Sequence, residues 1–336
     1  MIFVTGATGL VGSHLTYHLV SQGHQVRLLV RNRHKVTRLS RTFNYYGADI
    51  NDFENQIQLA EGDITDIFSL ENALGNDTEY VLHCAGLVSF SPLDKRNLLN
   101  INHEGTENMV NASLEAGVKK FIYVSSIAAL GDGTESRVKE DNQEFEFNPV
   151  SVYGNSKHLA EFEVWRGVEE GMDAVIVNPT VIIGPGEWDQ GSPRLFKSVW
   201  KGLPFYSTGS TGFIDVRDVA RVMVDLVFSD VKNQQFILNS ENLNYRQFFN
   251  MVADNLSVRR PRFEAQPWMM YFLAAITGFI SKITGRRSQI NKNTASSAFS
   301  KTLYDNSKIQ QTLKTNFEGI EKAIAFTAGC FLKDHR

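Results

Sequence analysis

Short apolar, β-branched runs alternate with longer amphipathic stretches through the first half of this chain. Residues 2–4, 25–30, 80–83, 121–124 and 174–177 read as strands, and 12–21, 102–116 and 152–170 as helices between them. Uninterrupted apolar strands joined by helical connections predict a parallel sheet covered on both faces. Gly23, Gly117 and Gly171 stand just past three of these helices, where a left-handed residue is expected to end each one. The pattern breaks at 184–210, a Gly- and Pro-rich stretch that reads as loops around a short helix. It resumes at 213–228 as a strand running into a helix, and from about residue 240 the chain reads as mostly helical.

The fold class expected is therefore α/β, a doubly wound parallel sheet with a smaller, mostly helical lobe. Residues 1–179 with 211–236 would form the nucleotide-binding domain, and 180–210 with 237–336 the substrate lobe. Apolar residues make up 42% of the 336, enough for a sizeable core. A net charge of −3 provides no global positive field, so nucleic acid is not expected as a partner. The two cysteines, Cys84 and Cys330, cannot make a disulfide framework, which favours a reducing compartment. A strand at residue 2 leaves no room before it for a secretory signal, so the cytoplasm is the expected location.

Thr5-Gly6-Ala7-Thr8-Gly9-Leu10-Val11-Gly12 joins the first strand to the first helix. Glycines there permit a tight turn and let main chain and helix approach a pyrophosphate, which the helix N-terminus attracts. At the end of the second strand, about 20 residues further on, an NAD site usually carries an acid for the ribose hydroxyls. This chain has Arg31, followed by Arg33 and Lys35. A guanidinium can clamp a 2′-phosphate that a carboxylate would repel, so NADP is expected, with NAD as the alternative.

Tyr153 and Lys157 are four apart in a helical stretch and so share a face. An ammonium beside a phenol is expected to favour the phenolate, tuning Tyr153 as an acid–base. Ser125 and Ser126 follow the strand at 121–124, on the side of a parallel sheet where ligands bind, and can orient a substrate oxygen. Tyr-x3-Lys alone is common on exposed helices, and the serines alone could be turn residues. The combination carries the weight. His83 reads as a packed strand-end residue; no metal is expected, because partners for a metal-binding histidine are missing from the pattern.

The order of glycine loop, strand-end serine and Tyr-x3-Lys resembles the extended branch of the short-chain dehydrogenase/reductase family, within the epimerase/dehydratase superfamily. The resemblance runs end to end, through Gly62-Asp63-Ile64-Thr65-Asp66, His83-Cys84-Ala85-Gly86, Asn102-His103-Glu104-Gly105-Thr106, Asn178-Pro179-Thr180-Val181, 213–220 and Tyr304-Asp305-Asn306-Ser307-Lys308. It implies a Rossmann-type fold with catalytic Ser126, Tyr153 and Lys157. It also implies cofactor contacts from Gly6, Thr8, Gly9, Leu10, Val11, Gly12 and Arg31, and from Asp63 and Ile64 beside the adenine. Ala85, Ser125, Tyr153 and Lys157 would lie along the cofactor, and Pro179 and Val181 beside the carboxamide. Within the family the chain is most similar to the dihydroflavonol reductase and hydroxysteroid dehydrogenase group, on Val30-Arg31 and Asn178-Pro179-Thr180. Family dehydratases follow the catalytic hydroxyl with an Asp-Glu pair; Ser126-Ile127-Ala128 stands here instead.

The expectation is an NADP(H)-dependent oxidoreductase acting on a carbonyl or alcohol of a small, apolar or aromatic substrate. A nucleotide-sugar epimerase holding NAD is the alternative; it would need a diphosphate site, for which Arg194, Arg217 and Arg221 are candidates. A redox sensor that binds NADP without turnover would be expected to lack the Tyr/Lys pair. The apolar run 268–280 is expected to line the substrate pocket or its mouth. A second reading for 268–285 is a weak membrane-surface contact, anchored by Arg286 and Arg287, and a third is a transmembrane segment. A homodimer is left open.

Overall fold

In the computed structural model, residues 1–32, 36–131, 137–140, 151–284 and 292–335 are described. Arg33, Lys35, Arg286 and Arg287 lie outside them. Seven parallel strands form the central sheet. In chain order they are β1 (Ile2–Thr5), β2 (Val26–Val30), β3 (Ile57–Glu61), β4 (Tyr80–His83), β5 (Lys120–Val124), β6 (Ala174–Pro179) and, further on, Gln234–Leu238. Between the last two come β7 (Val181–Ile183) and β8 (Ser210–Asp215), so Gln234–Leu238 is β9, followed by β10 (Glu241–Asn244). The sheet order is β9-β6-β5-β4-β1-β2-β3, with the chain reversing direction across the sheet at β1 and β4. Ligands of such sheets bind at that reversal, beyond the C-terminal strand ends.

Alternate residues of each strand feed opposite faces, as a period of two requires. Val4, Leu82, Ile122 and Val175 join one core cluster, packed with helices α1 (Leu10–Ser21), α2 (Val36–Tyr45) and the later Val216–Phe228. Phe3, Val81, Phe121 and Ile176 join the other, under α3 (Ile67–Leu74), α4 (Gly105–Glu115) and α5 (Val152–Glu169). Gly23, Gly117 and Gly171 end their helices at φ of 86°, 62° and 103°, the left-handed closure that the pattern predicts.

The edge strands β3 and β9 escape the sequence pattern. Ile57–Glu61 alternates polar and apolar residues because it lies at the rim, where half its surface is open, and so lacks the continuous apolar signature of β1 or β5. The helix expected at 102–116 starts earlier, with an α-turn at Lys95–Leu98 and a π-turn at Leu99–Glu104 before the α-helix from Gly105. The wide turn seats Asn102 inward, almost fully buried.

A third cluster forms the core of the second lobe. Ile183, Trp188, Phe213 and Phe248 meet Ile324 and Phe331, drawn from β7, β8, α6 (Pro193–Trp200), α8 (Tyr245–Asn255) and α10 (Ile320–Asp334). The intervening helices are α7 (Val216–Phe228) and α9 (Pro267–Thr284). β10, β8 and β7 make a three-stranded sheet here, so the lobe is helical around a small sheet. No helix among the described residues is long and apolar enough to cross a membrane.

Candidate active site

Gly6 has φ of 69°, and a Cβ there would lie 2.6 Å from the Ala85 nitrogen and 2.7 Å from the Cys84 oxygen. A Cβ on Gly12 would meet the Gly6 carbonyl oxygen at 2.2 Å. The first and third glycines are thus where any side chain would push helix, loop and β4 apart. Gly9 caps α1 with no side-chain bond, and no acid stands in the first turn. The N–H groups at the start of α1 therefore remain available to an anion, with the helix dipole behind them. Thr8, Leu10 and Val11 are half-buried along the rim, and Gly9 is exposed.

Arg31 reaches outward from the end of β2, its side chain 58% exposed and its Nη1 3.8 Å from the Asp63 carboxylate. Asp63 in turn accepts from the main chain and hydroxyl of Thr65. Ile64 turns its side chain into the core against Gly105, leaving only its main chain for contact with a ligand. Ala85 donates its N–H to the Thr5 hydroxyl, which fixes the loop after β4 to β1. His83 bonds Thr5 and Thr106, is fully buried, and is pushed down to about 3 by that burial, so it is a neutral packing residue.

Lys157 is buried, its amine donating to the Val124 carbonyl at 2.7 Å and lying over the Tyr123 ring at 4.3 Å. A Cβ on Gly86 would stand 3.8 Å from that amine. Gly6 packs against Cys84 and Ala85, and Gly86 lies near Lys157, so the loop after β4 runs between the glycine loop and the lysine. Tyr153 lies beside Ser126, whose Oγ accepts from Ala128 N at 3.2 Å. Ser126 is therefore both a turn residue and the phenol's neighbour. Gly154 makes that approach sterically open: a Cβ there would lie 2.6 Å from the Ala128 oxygen.

The expected depression of the Tyr153 pKa is reversed. Burial raises the phenol, and Ser126 opposes this only in part. Burial also pushes the Lys157 amine down to about 7, with Glu161 and Cys84 acting against the shift. A cation that is itself desolvated and turned to a carbonyl no longer dominates its neighbour.

Behind these residues lies a network with no counterpart in the sequence reading. Glu161, one turn beyond Lys157, is buried and raised to about 7 by desolvation. It accepts from Asn178 Nδ2 at 2.6 Å, and the same amide donates to the Ser126 carbonyl at 2.9 Å. Gln235 donates to Asn178 Oδ1 at 2.9 Å. Ser125 is buried beside this network. Asn102 holds both polar groups of Leu87 and the Ser156 hydroxyl, tying the loop after β4 to α5. That loop delivers Phe90, which packs edge-on against Tyr153 with ring centres 5.7 Å apart. Glu161 stands at i+4 from Lys157, the one spacing that could have flagged it. Pro179 is buried at the end of β6, and Val181, half-buried, opens β7 just beyond it.

Of the candidate diphosphate ligands, Arg217 and Arg221 are held by neighbouring acids. Arg217 holds Asp215 through Nε and Nη2 and lies 4.4 Å over the Phe326 ring; Arg221 bonds Asp218 at 2.6 Å. Arg194 is exposed on α6. His103, Glu107 and Glu163 converge within 4.8 Å, but Glu163 is already paired with Arg166 at 2.8 Å.

Comparison with known proteins follows this geometry. A putative dihydroflavonol 4-reductase of Synechocystis is 28% identical over 96% of this chain and 92% of its own length. Sterol demethylase protein B of Methylococcus capsulatus is 26% identical over 81% of this chain and 80% of its own. The crystal structure of gox2253 superposes with a TM-score of 0.77 at 28% identity, covering 100% of this chain and 99% of that one. The family model for the NAD dependent epimerase/dehydratase family matches residues 2–237. The chain is a nicotinamide-dependent enzyme of that family, an extended short-chain dehydrogenase/reductase.

Proposed function

We propose that this protein is an NADP(H)-dependent oxidoreductase that reduces a carbonyl, or oxidises the matching alcohol, on a small apolar or aromatic substrate. The observation that carries the reading is the Tyr153 phenol beside Ser126, one helical turn before Lys157, with the Phe90 ring against it. The glycine loop suits a dinucleotide: two of its glycines stand where a Cβ cannot, and the N–H groups that begin α1 carry no side-chain cap. Residues 1–179 with 211–236 would hold it, and 180–210 with 237–336 would cover the substrate.

When bound, the nicotinamide supplies or accepts hydride. Ser126 holds the substrate oxygen by a hydrogen bond, and Tyr153 gives it a proton. A phenol raised by burial stays protonated at neutral pH, which is the form that carbonyl reduction consumes. Lys157, its amine pushed down to about 7, would hold the ribose and return a proton to the phenol. Val88 and Leu93, 58% and 54% exposed, flank Phe90 in the same loop and favour an apolar substrate over a sugar.

Arg31 supports the phosphorylated cofactor, since its guanidinium is exposed and only loosely paired with Asp63. The engagement of Arg217 and Arg221 by internal acids weighs against a sugar diphosphate in the second lobe. The test is oxidation of NADPH and NADH in parallel against aldehydes, ketones, flavonoid-like and steroid-like compounds. NADPH should be preferred, and Arg31→Ala should reduce that preference roughly tenfold by removing a charge-assisted clamp. Purified protein that carries tightly bound NAD and consumes no NADPH would favour the epimerase instead.

A further inference from the structure

Helix α9 is built the wrong way round for a helix that ends in solvent. Its inward positions hold Met269, Met270, Ala274 and Thr277, with Ala274 only 6% exposed. Its outward positions from 267 to 276 hold no polar side chain other than the Tyr271 hydroxyl. Trp268 is 69% exposed and Phe272 63%, with Tyr271, Leu273 and Ile276 beside them. A helix apolar on both faces is one that something else covers. The outward row from Trp268 to Ile276 spans about 12 Å at the helical rise.

Charge identifies the cover. Residues 259–292 carry seven Lys or Arg and one acid, Glu264, a net of +6 inside a chain of net −3. Arg259 and Arg262 are exposed just before the helix; Arg260 is held by Asp254. A second copy would set Arg259 and Arg262 against their own like, whereas an anionic surface would be attracted to them. Phe263 lies five residues before Trp268, 60% exposed, with its ring tilted against that of Phe205 at 5.9 Å between centres. Aromatic rings on the outer face with cations at its start are the composition that interfacial helices use.

We propose that the outward face of α9, with Arg259 and Arg262 beside it, docks on the surface of an anionic phospholipid bilayer. The helix lies along the headgroups and does not cross, so the cleft stays in water while its second lobe rests on the membrane.

The full-length protein is to be sedimented with vesicles of phosphatidylcholine containing about a third phosphatidylglycerol, and with phosphatidylcholine alone. Binding is expected to the anionic vesicles, weakened roughly tenfold when salt rises from about 0.05 to 0.5 M. Trp268→Ser/Phe272→Ser should lose it at least about tenfold while keeping the thermal midpoint within about 2 °C, as surface substitutions do. Should that variant fold poorly, the wild-type protein decides alone: brominated lipid must quench part of its fluorescence, and Trp268→Phe must remove that part. No binding to either vesicle, equal binding to both, or a dimer in sedimentation velocity that Phe272→Ser dissolves would overturn the proposal.

Discussion

The two walls of the cleft are built from opposite materials. The wall at β1 and α1 is main chain, with Gly6 and Gly12 in contact with carbonyl and amide groups and no ionisable side chain in the first helical turn. The wall at β5 and α5 is a buried set of ionisable side chains, Lys157 and Glu161 among them, whose protonation follows from their surroundings. Binding a pyrophosphate needs only fixed N–H groups, which are indifferent to pH. Moving a proton needs groups near their titration points, and burial supplies those at a cost in stability.

Filling the first wall should have the largest effect on cofactor binding. Gly12→Ala places a methyl 2.2 Å from the Gly6 oxygen, and overpacking of about 1–3 kcal/mol corresponds to a fall in NADPH affinity of up to about a hundredfold. Fluorescence titration of the cofactor reads it, and the loss should be the same at pH 6 and pH 8. A loss that varied with pH would mean that the two walls are not separate in kind.

A smaller effect should follow in the second wall, and this one must depend on pH. Glu161→Gln keeps the acceptor for Asn178 but removes a negative charge that raises the Lys157 pKa. The limb of kcat/KM near pH 7 should then move to lower pH by about one unit, with NADPH affinity changed less than about threefold. An unmoved limb would detach Lys157 from that network.

The smallest effect concerns stability. His83 has a folded pKa of about 3, below its ordinary 6.5, so the unfolded chain binds the extra proton between those values. Its contribution is complete above pH 6.5 and is lost as pH falls toward 3. Glu161, raised to about 7, acts in the other sense between its ordinary 4.5 and 7. Urea unfolding should show His83→Asn losing about 2 kcal/mol less than wild type between pH 6.5 and 5.

The same contrast explains what the sequence could say. The glycine loop is legible because a turn that excludes Cβ atoms leaves glycines at fixed spacing, and the strand before it is a continuous apolar run. Tyr153, Lys157 and Ser126 are legible as a set. What the spacing of Tyr153 and Lys157 could not show is the sign of the phenol's shift, because burial is a property of the packed molecule. Glu161 and Phe90 reach the site from a deeper helical turn and from a loop, with no local motif to mark them. The rim strand Ile57–Glu61 and the π-turn at Leu99–Glu104 depend on neighbours far along the chain. The apolar run at 268–280 was visible, but which side of α9 faces outward was not.

In the proposed reaction the Tyr153 hydroxyl delivers the proton that accompanies hydride transfer. Tyr153→Phe removes that oxygen alone, so the direct measurement pairs NADPH binding with NADPH oxidation on the best carbonyl substrate. Binding should stay within about threefold, while the rate falls by about a hundredfold to ten-thousandfold. A variant that binds and turns over like wild type would contradict the claim.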